Sequence, residues 1–511
     1  MTEVVTAARM RAVERAAIEA GTVTGLALME RAGRGAVDAI LAEWPELAAG
    51  PRRAVVLCGP GNNGGDGFVV ARLLRDRGWE VLPLGLGDPA RLPPDAAANR
   101  ARWGGPVAAL TGEAVAARAV PGRCDLLVDA LFGIGLSRPV DLPLAALGAT
   151  RADRRTVALD VPSGLSSETG RAVGREAVTA DLTVAFHAPK PGHFLADGPA
   201  LCGKLEVADI GLAPDAPEDG AALHLVGAPR GTAKRGGHKF DHGHALVLSG
   251  GVGRGGAARM AARGALRVGA GLVTLGCPPA ALIENAARLD AIMLRPVRDA
   301  DALAGMLDDP RLNALCLGPG LGTGPREAAL LAAALRRASR AVVLDGDALT
   351  LLGRDPDLLG ALHPRCVLTP HMGEFARVFP DLAERLDAPA TDAPAFSKVD
   401  AARAAAARAG CTVLLKGPDT AVAAPGGRAA IASAAYDRAV PWLATAGAGD
   451  VLAGLIAGLC ARGRAPFDAA CAAAWLHVEC ARAVGPGLIA EDLPEALPGV
   501  LARLEGWAPP G

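Results

Sequence analysis

Apolar positions along this chain fall into two alternating rhythms. Short, nearly continuous apolar runs read as buried strands: Arg53 to Cys58, VLPLGL, Asp125 to Asp129, Thr156 to Asp160, Leu182 to Phe186 and Lys204 to Ile210. Between them, apolar residues recur at helical spacing over Thr6 to Ala20, Thr24 to Leu41, Phe68 to Arg75 and about Pro94 to Trp103. Strand–helix alternation of this kind predicts an α/β fold with a mostly parallel, doubly wound, Rossmann-like sheet. The rhythm stops at Leu212 to Ala222, rich in Pro and Asp and without periodicity, which reads as a linker.

It then restarts. Ala245 to Leu248, Leu272 to Leu275, Ala314 to Leu317, Ala341 to Leu344, Cys366 to Leu368 and Thr412 to Leu415 are expected strands, with helices at Ala257 to Val268 and Val451 to Cys460. Two α/β domains are therefore expected, 1–212 and 223–508, as suits 511 residues, too many for one ordinary core.

Composition narrows the function. Lys and Arg number 53 against 54 Asp and Glu, so no net field draws the chain to nucleic acid or an acidic membrane. Aromatic residues are 3%, with one Tyr, too few for base-stacking platforms. Small-molecule substrates are the expected partners, in a homo-oligomer. The ten cysteines show no CxxC and no paired spacing, as in the reduced core of a cytoplasmic protein. The first twenty residues carry charges throughout and no apolar core of a signal peptide, and the longest apolar run, near Val451 to Ala461, is too short for a membrane span.

The candidate chemistry sits at strand ends. After the run Arg53 to Cys58 comes Gly59-Pro60-Gly61-Asn62-Asn63-Gly64-Gly65-Asp66-Gly67, expected to turn through its glycines into the helix at Phe68, with amides facing a ligand. Gly59-x-Gly61-x-x-Gly64 satisfies the dinucleotide fingerprint, though Glu80, the acidic residue nearest the usual spacing, precedes the next strand. Asn62 and Asn63, Asp129, and Asp160 with Ser163 all follow strands. Parallel strand ends meet at one crevice, and such hard oxygen donors suit a monovalent or alkaline-earth cation better than zinc. In the second half, Gly318 to Gly322, Asp345-Gly346-Asp347, Thr369 to Glu374 and Lys416 to Asp419 likewise follow strands, and Thr445 to Asp450 opens the apolar helix Val451 to Cys460.

Gly447-Ala448-Gly449-Asp450 joins free amides to a carboxylate at one helix start. The amides suit the oxygens of a phosphoryl group in transfer, and Asp450 suits the proton of an attacking hydroxyl. No Gly-x-x-x-x-Gly-Lys-Ser/Thr loop is present. Glu374 is placed to hold Mg2+ through water, and His371 to touch substrate. Lys416 reads equally as a phosphate contact or a solvated strand end.

Nine motifs carry a family resemblance. GPGNNGGDG (59–67), VDALFGIG (128–135) and LDVPSG (159–164) resemble NAD(P)H-hydrate epimerase domains. HKFDHGHALVLSGG (238–251), LGPGLG (317–322), VVLDGDAL (342–349), LTPHMGEF (368–375), LLKGPDT (414–420) and TAGAGD (445–450) resemble ADP-dependent NAD(P)H-hydrate dehydratases, which have a ribokinase-like fold. Phe240, His242 and Gly346 depart from that pattern. The resemblance implies that R and S epimers of hydrated NADH or NADPH are interconverted in the first half, and that the S form is dehydrated at the expense of ADP in the second. It implies K+ on Asn63, Asp129 and Ser163, and substrate contacts at Asn62, Asn63, Gly64, Gly65, Asp66, Gly133, Ile134, Gly135, Leu136, Ser137, Arg138, Pro139 and Asp160. In the second half it implies substrate contacts at Gly320, His371, Met372, Gly373, Glu374, Phe375, Ala376 and Arg377, with Asp450 at the reacting hydroxyl. ADP would meet Lys416, Gly417, Pro418, Asp419, Thr420, Ala446, Gly447, Ala448 and Gly449. Asp66, Asp141 and Asp160 stand as candidate acid or base groups of the epimerase half. Two other readings compete: a ribokinase-type small-molecule kinase fused to an oxidoreductase-like domain, and a nucleotide-sensing first half without catalysis.

Overall fold

The computed structural model describes residues 2–118, 123–142, 144, 154–213, 222–390 and 396–507. The expected linker lies mostly outside the described residues, as do the expected domain limits 1 and 508. The chain separates into two compact units, one comprising Glu3–Glu218 with Ala388–Ser397, the other Asp219–Asp387 and Lys398–Gly511 with the first two residues.

The first unit holds a seven-stranded, all-parallel sheet. Its spatial order is Ala108–Ala109, Glu80–Gly85, Arg53–Cys58, Leu126–Ala130, Arg155–Leu159, Leu182–Phe186, Lys204–Ala208. From Arg53–Cys58 the chain first winds to one side, then crosses and winds to the other. That reversal opens a crevice at the carboxyl ends of the central strands. Central strands are buried along almost their whole length, as helices on both faces require.

One expectation is corrected here. The helix starts at Asn62, not Phe68, and runs to Arg75. Its glycines are packing residues: a Cβ on Gly64 would lie 2.0 Å from the Gly59 carbonyl oxygen, and one on Gly65 would collide with the Met29 thioether. They bring the helix start down onto the sheet instead of opening a loop.

The second unit is built on a mixed sheet whose strands run in the order Leu223–Leu225, Ala429–Ser433, Asp419–Ala423, Thr412–Leu415, Cys366–Leu368, Ala341–Leu344, Leu312–Leu317, His244–Leu248, Leu272–Cys277, Met293–Pro296. Thr412–Leu415 pairs antiparallel with Asp419–Ala423, which pairs antiparallel with Ala429–Ser433; the six strands from Cys366–Leu368 to Met293–Pro296 in that order are parallel. The helix Ala448–Ala461 is buried almost all round and packs on Gly256–Arg267. Gly454 permits that approach, since a Cβ there would strike the Ala261 backbone. All ten cysteines are free and buried. Among the described residues no helix is long and apolar enough to cross a membrane.

Candidate active sites

The first crevice is a cleft of about 460 Å³ above the central strands. Asp160, directly after Arg155–Leu159, adopts φ +65°, a left-handed backbone uncommon outside glycine. Such strain persists where surroundings fix it, and here they do. Lys190, fully buried, places its Nζ 2.5 Å from Asp160 Oδ1 and donates to the Phe186 carbonyl at 2.9 Å. The Lys190 amide donates to His193 Nδ1 at 3.0 Å, so Nε2 carries the ring proton and donates to the Asp160 carbonyl at 2.9 Å. Burial and the Lys190 charge push His193 down to about 4, which keeps it neutral.

Asp66 faces the same cleft. Burial, then the Asp160 and Glu14 charges, hold its carboxyl well above the usual range. Glu14 is likewise raised by burial and Asp160, with Lys190 and Arg11 opposing. Gly133 leaves room for the meeting point: a Cβ there would sit 3.2 Å from Asp160 Oδ2 and 3.4 Å from Asn63 Cγ. Asp129 and Ser163 are fully buried and do not line the cleft. Asp129 Oδ1 accepts from Ser163 Oγ at 2.6 Å and Leu131 N at 3.2 Å, and Oδ2 accepts from Ser163 N at 2.8 Å. Burial outweighs these bonds and raises the Asp129 carboxyl to about 6.

Of the residues expected here, Asn62, Asn63, Asp66, Gly133, Ile134, Gly135, Leu136 and Asp160 line the cleft. Gly64 and Gly65 face the protein interior, for the packing reason above. Ser137, Arg138, Pro139 and Asp141 lie outside the lining. Sequence reasoning missed Arg11 and Glu14, on the helix Ala7–Glu19, and Lys190. The only signal for Lys190 was a basic residue in an apolar stretch just past a strand.

The second crevice is a cleft of about 790 Å³. Gly447, at φ +88°, turns the chain into Ala448–Ala461, and a Cβ there would lie 2.6 Å from Met260 Cε. The turn aims that helix's first amides into the cleft beside Asp450. Lys416 Nζ lies 2.7 Å from Asp345 Oδ1 and 3.6 Å from Glu374 Oε2. Burial opposes the Lys416 charge, but Asp345 and Glu374 outweigh it and keep its pKa above the ordinary value. Thr369 Oγ1 donates to Asp345 Oδ1 at 2.8 Å. Asp450 is pushed up to about 7, chiefly by burial, then by Asp345, with Lys416 opposing and Glu374 and Asp347 adding. His371 and Glu374 form a reciprocal cap at the start of Met372–Val378, where Gly373 N donates to His371 Nδ1 and His371 N to Glu374 Oε2.

His371, Glu374, Lys416, Gly417, Pro418, Thr420, Gly447, Ala448, Gly449 and Asp450 line this cleft. Gly320, Met372, Gly373, Phe375, Ala376, Arg377, Asp419 and Ala446 do not. Phe375 is fully buried against Phe379, their ring centroids 5.3 Å apart, and Asp419 is drawn aside by Lys398 at 2.5 Å. Asp345 and His477 line the cleft without having been assigned a role. His477 Nε2 meets the Ala448 carbonyl at 2.9 Å, pinning the helix start, and burial lowers it to about 4.

Profiles of two families match the chain: YjeF-related protein N-terminus over residues 25–192 and NAD(P)H-hydrate dehydratase over 245–497. The bifunctional NAD(P)H-hydrate repair enzyme of Moorella thermoacetica is 37% identical, covering 98% of this chain and 97% of its own. The chain belongs to the bifunctional NAD(P)H-hydrate repair enzyme family. A stand-alone NAD(P)H-hydrate epimerase of Roseobacter litoralis is 46% identical, covering 42% of this chain and 100% of its own. The ADP/ATP-dependent NAD(P)H-hydrate dehydratase of Bacillus subtilis, co-crystallised with ATP and Mg2+, is 27% identical over 53% of this chain and 93% of its own, with a TM-score of 0.44. In this repair-enzyme chain the seven-stranded parallel sheet thus belongs to the YjeF-related half and the mixed sheet to the dehydratase half.

Proposed function

We infer that this chain repairs hydrated nicotinamide nucleotides, epimerising the hydrates in its first cleft and dehydrating the S form in its second with ADP. The observation that carries this reading is the start of Ala448–Ala461, where a phosphoryl cradle and a carboxylate raised to about 7 share one cleft with Lys416. A base poised near neutrality is matched to taking a proton from a hydroxyl. In the second cleft Asp450 takes the proton of the C6 hydroxyl as its oxygen attacks the terminal phosphorus of ADP. The Gly447–Gly449 amides and Lys416 hold the phosphoryl oxygens, and AMP leaves. The phosphate ester is a better leaving group than hydroxide. Loss of phosphate from C6 and of a proton from C5 restores the dihydropyridine.

Among the described residues no group of three His, Cys, Asp or Glu is close enough to hold a metal alone. Glu374 and Asp345, which line the cleft, would hold Mg2+ through its waters while the substrate phosphates take its other positions. When bound it supplies charge compensation between these carboxylates and the nucleotide.

In the first cleft C6 is a hemiaminal carbon, so its epimers interconvert when the C6–N1 bond opens and recloses. Asp66 and Asp160 line the cleft and Asp141 does not. Asp160, paired with Lys190, takes the C6–OH proton as the carbonyl forms. The bond electrons go to N1, which receives the Asp66 proton, and reclosure on the other aldehyde face reverses the transfers. Asn63 Oδ1, Asp129 and Ser163 would supply K+ with an all-oxygen set, in which the buried Asp129 carries the negative charge. A bound K+ would compensate the Asp129 charge. The buried, free cysteines support a cytoplasmic setting.

The test is chromatography of both hydrate epimers. S-hydrate should disappear with ADP while AMP and phosphate appear; a stable phosphorylated product would indicate an ordinary kinase instead.

A further inference from the structure

A second, smaller pocket in the first unit has no part in this account. It holds about 200 Å³ at the carboxyl ends of Arg53–Cys58 and Glu80–Gly85, with Cys58, Gly59, Gly87, Phe68, Val107 and Arg100 in its lining. Gly59 borders this pocket and Pro60 the larger cleft, so the two are neighbours along the chain on either side of the helix start at Asn62. In a sheet of this strand order a dinucleotide lies across the reversal point, its pyrophosphate at the helix N-terminus and one nucleoside on each side. The reacting ring takes the side of Asp160 and Lys190. The adenosine is left with the side of Glu80–Gly85.

Arg100 decides what that side recognises. It projects from the helix Pro94–Trp103, is half-buried, and makes no hydrogen bond or ion pair with any described residue. Of the nearby arginines, Arg72 pairs with Glu30 and Arg75 donates to the Trp103 carbonyl, while Arg91 and Arg102 are exposed, unlike the half-buried Arg100. No lining residue of the pocket is acidic. Asp88, the first carboxylate after Glu80–Gly85 and the natural candidate for ribose hydroxyls, turns to accept from Ala90 N at 2.9 Å and is not in the lining. A half-buried guanidinium without a counter-charge, where an adenosine ribose would lie, fits an anion there.

We propose that this pocket is the adenosine subsite of the epimerase half and that Arg100 receives the 2′-phosphate of NADPH hydrate. The proposal rests on the epimerase reading of the larger cleft. Its measurement is epimerisation of R-NADPH hydrate and R-NADH hydrate by the full-length chain, with Arg100→Ala and Arg100→Lys, each checked for an unchanged melting temperature. Loss of a charge-assisted contact made in both ground and transition states should raise KM for the phosphorylated hydrate about tenfold or more in Arg100→Ala and leave kcat unchanged. The unphosphorylated hydrate should keep its wild-type KM, and Arg100→Lys should recover part of the loss. Direct binding of adenosine 2′,5′-bisphosphate should exceed that of adenosine 5′-monophosphate in the wild type, and the advantage should vanish in Arg100→Ala. Equal losses on both hydrates, no loss on either, or no preference for the bisphosphate would overturn the proposal. If the wild type epimerises neither hydrate, the epimerase reading fails, while the bisphosphate binding still decides whether Arg100 holds a phosphate.

Discussion

The two clefts solve different electrostatic problems with similar parts. Each lies at the carboxyl ends of parallel strands and sets a buried lysine against carboxylates. In the first, Lys190 is wholly buried and serves Asp160, leaving Asp66 with no ion pair among the described residues and a raised carboxyl. One paired and one protonated carboxylate make a proton donor and acceptor facing a single ligand, enough to open and reclose a ring. In the second, Lys416 stands among Asp345, Glu374, Asp347 and Asp450, an excess of negative charge where a diphosphate must approach. That cleft therefore needs imported positive charge, and one carboxylate is driven to about 7. The first cleft moves protons; the second moves a phosphoryl group.

The largest test of that division is Asp450→Asn. Dehydration should fall by about 10²–10⁴-fold, the range for losing a general base, with epimerisation untouched. In the wild type, dehydration should decline as pH drops below about 7, because Asp450 must shed its proton to act. Next come the lysines. Lys190→Met strands the buried Asp160 charge and should cost about 3–5 kcal/mol by urea denaturation. Lys416→Ala should cost less, because its pair is partly open to water, and should mainly raise KM for ADP. Equal costs would mean that Lys190 is less buried than its packing indicates.

Gly447→Ala is the third. A side chain at φ +88°, pressed on Met260, should lower stability by about 1–3 kcal/mol and slow dehydration only. The smallest effect concerns K+. The folded protein holds the Asp129 proton up to about pH 6, against 3.8 ordinarily, so ionising this group costs stability as pH rises through that window. A compensating cation restores it. K+ at ten times its dissociation constant should stabilise by about 1.4 kcal/mol near pH 8, and by much less near pH 4.5, where Asp129 is protonated. An equal rise in melting temperature at both pH values would remove Asp129 from the K+ site.

Sequence alone went far here because strand ends carry the chemistry. Asn63, Asp66, Asp160 and Lys416 all follow apolar runs that are legible by themselves, and Asp450 opens one. What escaped it depends on tertiary approach. Arg11 and Glu14 look like one polar face of an N-terminal helix until that helix is laid beside the cleft. Lys190 belongs to no periodic pattern, and its burial follows from Asp160, thirty residues earlier. The glycines after Asn62 read as a flexible turn because sequence does not reveal how closely Gly59 and Met29 pack against them. Asp419–Ala423 and Ala429–Ser433 are half alanine, and Thr420, Val422 and Ile431 alone give them a weak strand signal.

The central claim is that two independent sites act in series. Incubate R-hydrate with ADP and the Asp450→Asn chain, and follow both epimers and NADH by chromatography. The account predicts that R and S equilibrate while no NADH or AMP forms, and that adding an Asp66→Asn chain, defective only in the first cleft, restores NADH production. If Asp450→Asn also stops interconversion of R and S, the two clefts are not separate catalysts and the account is contradicted.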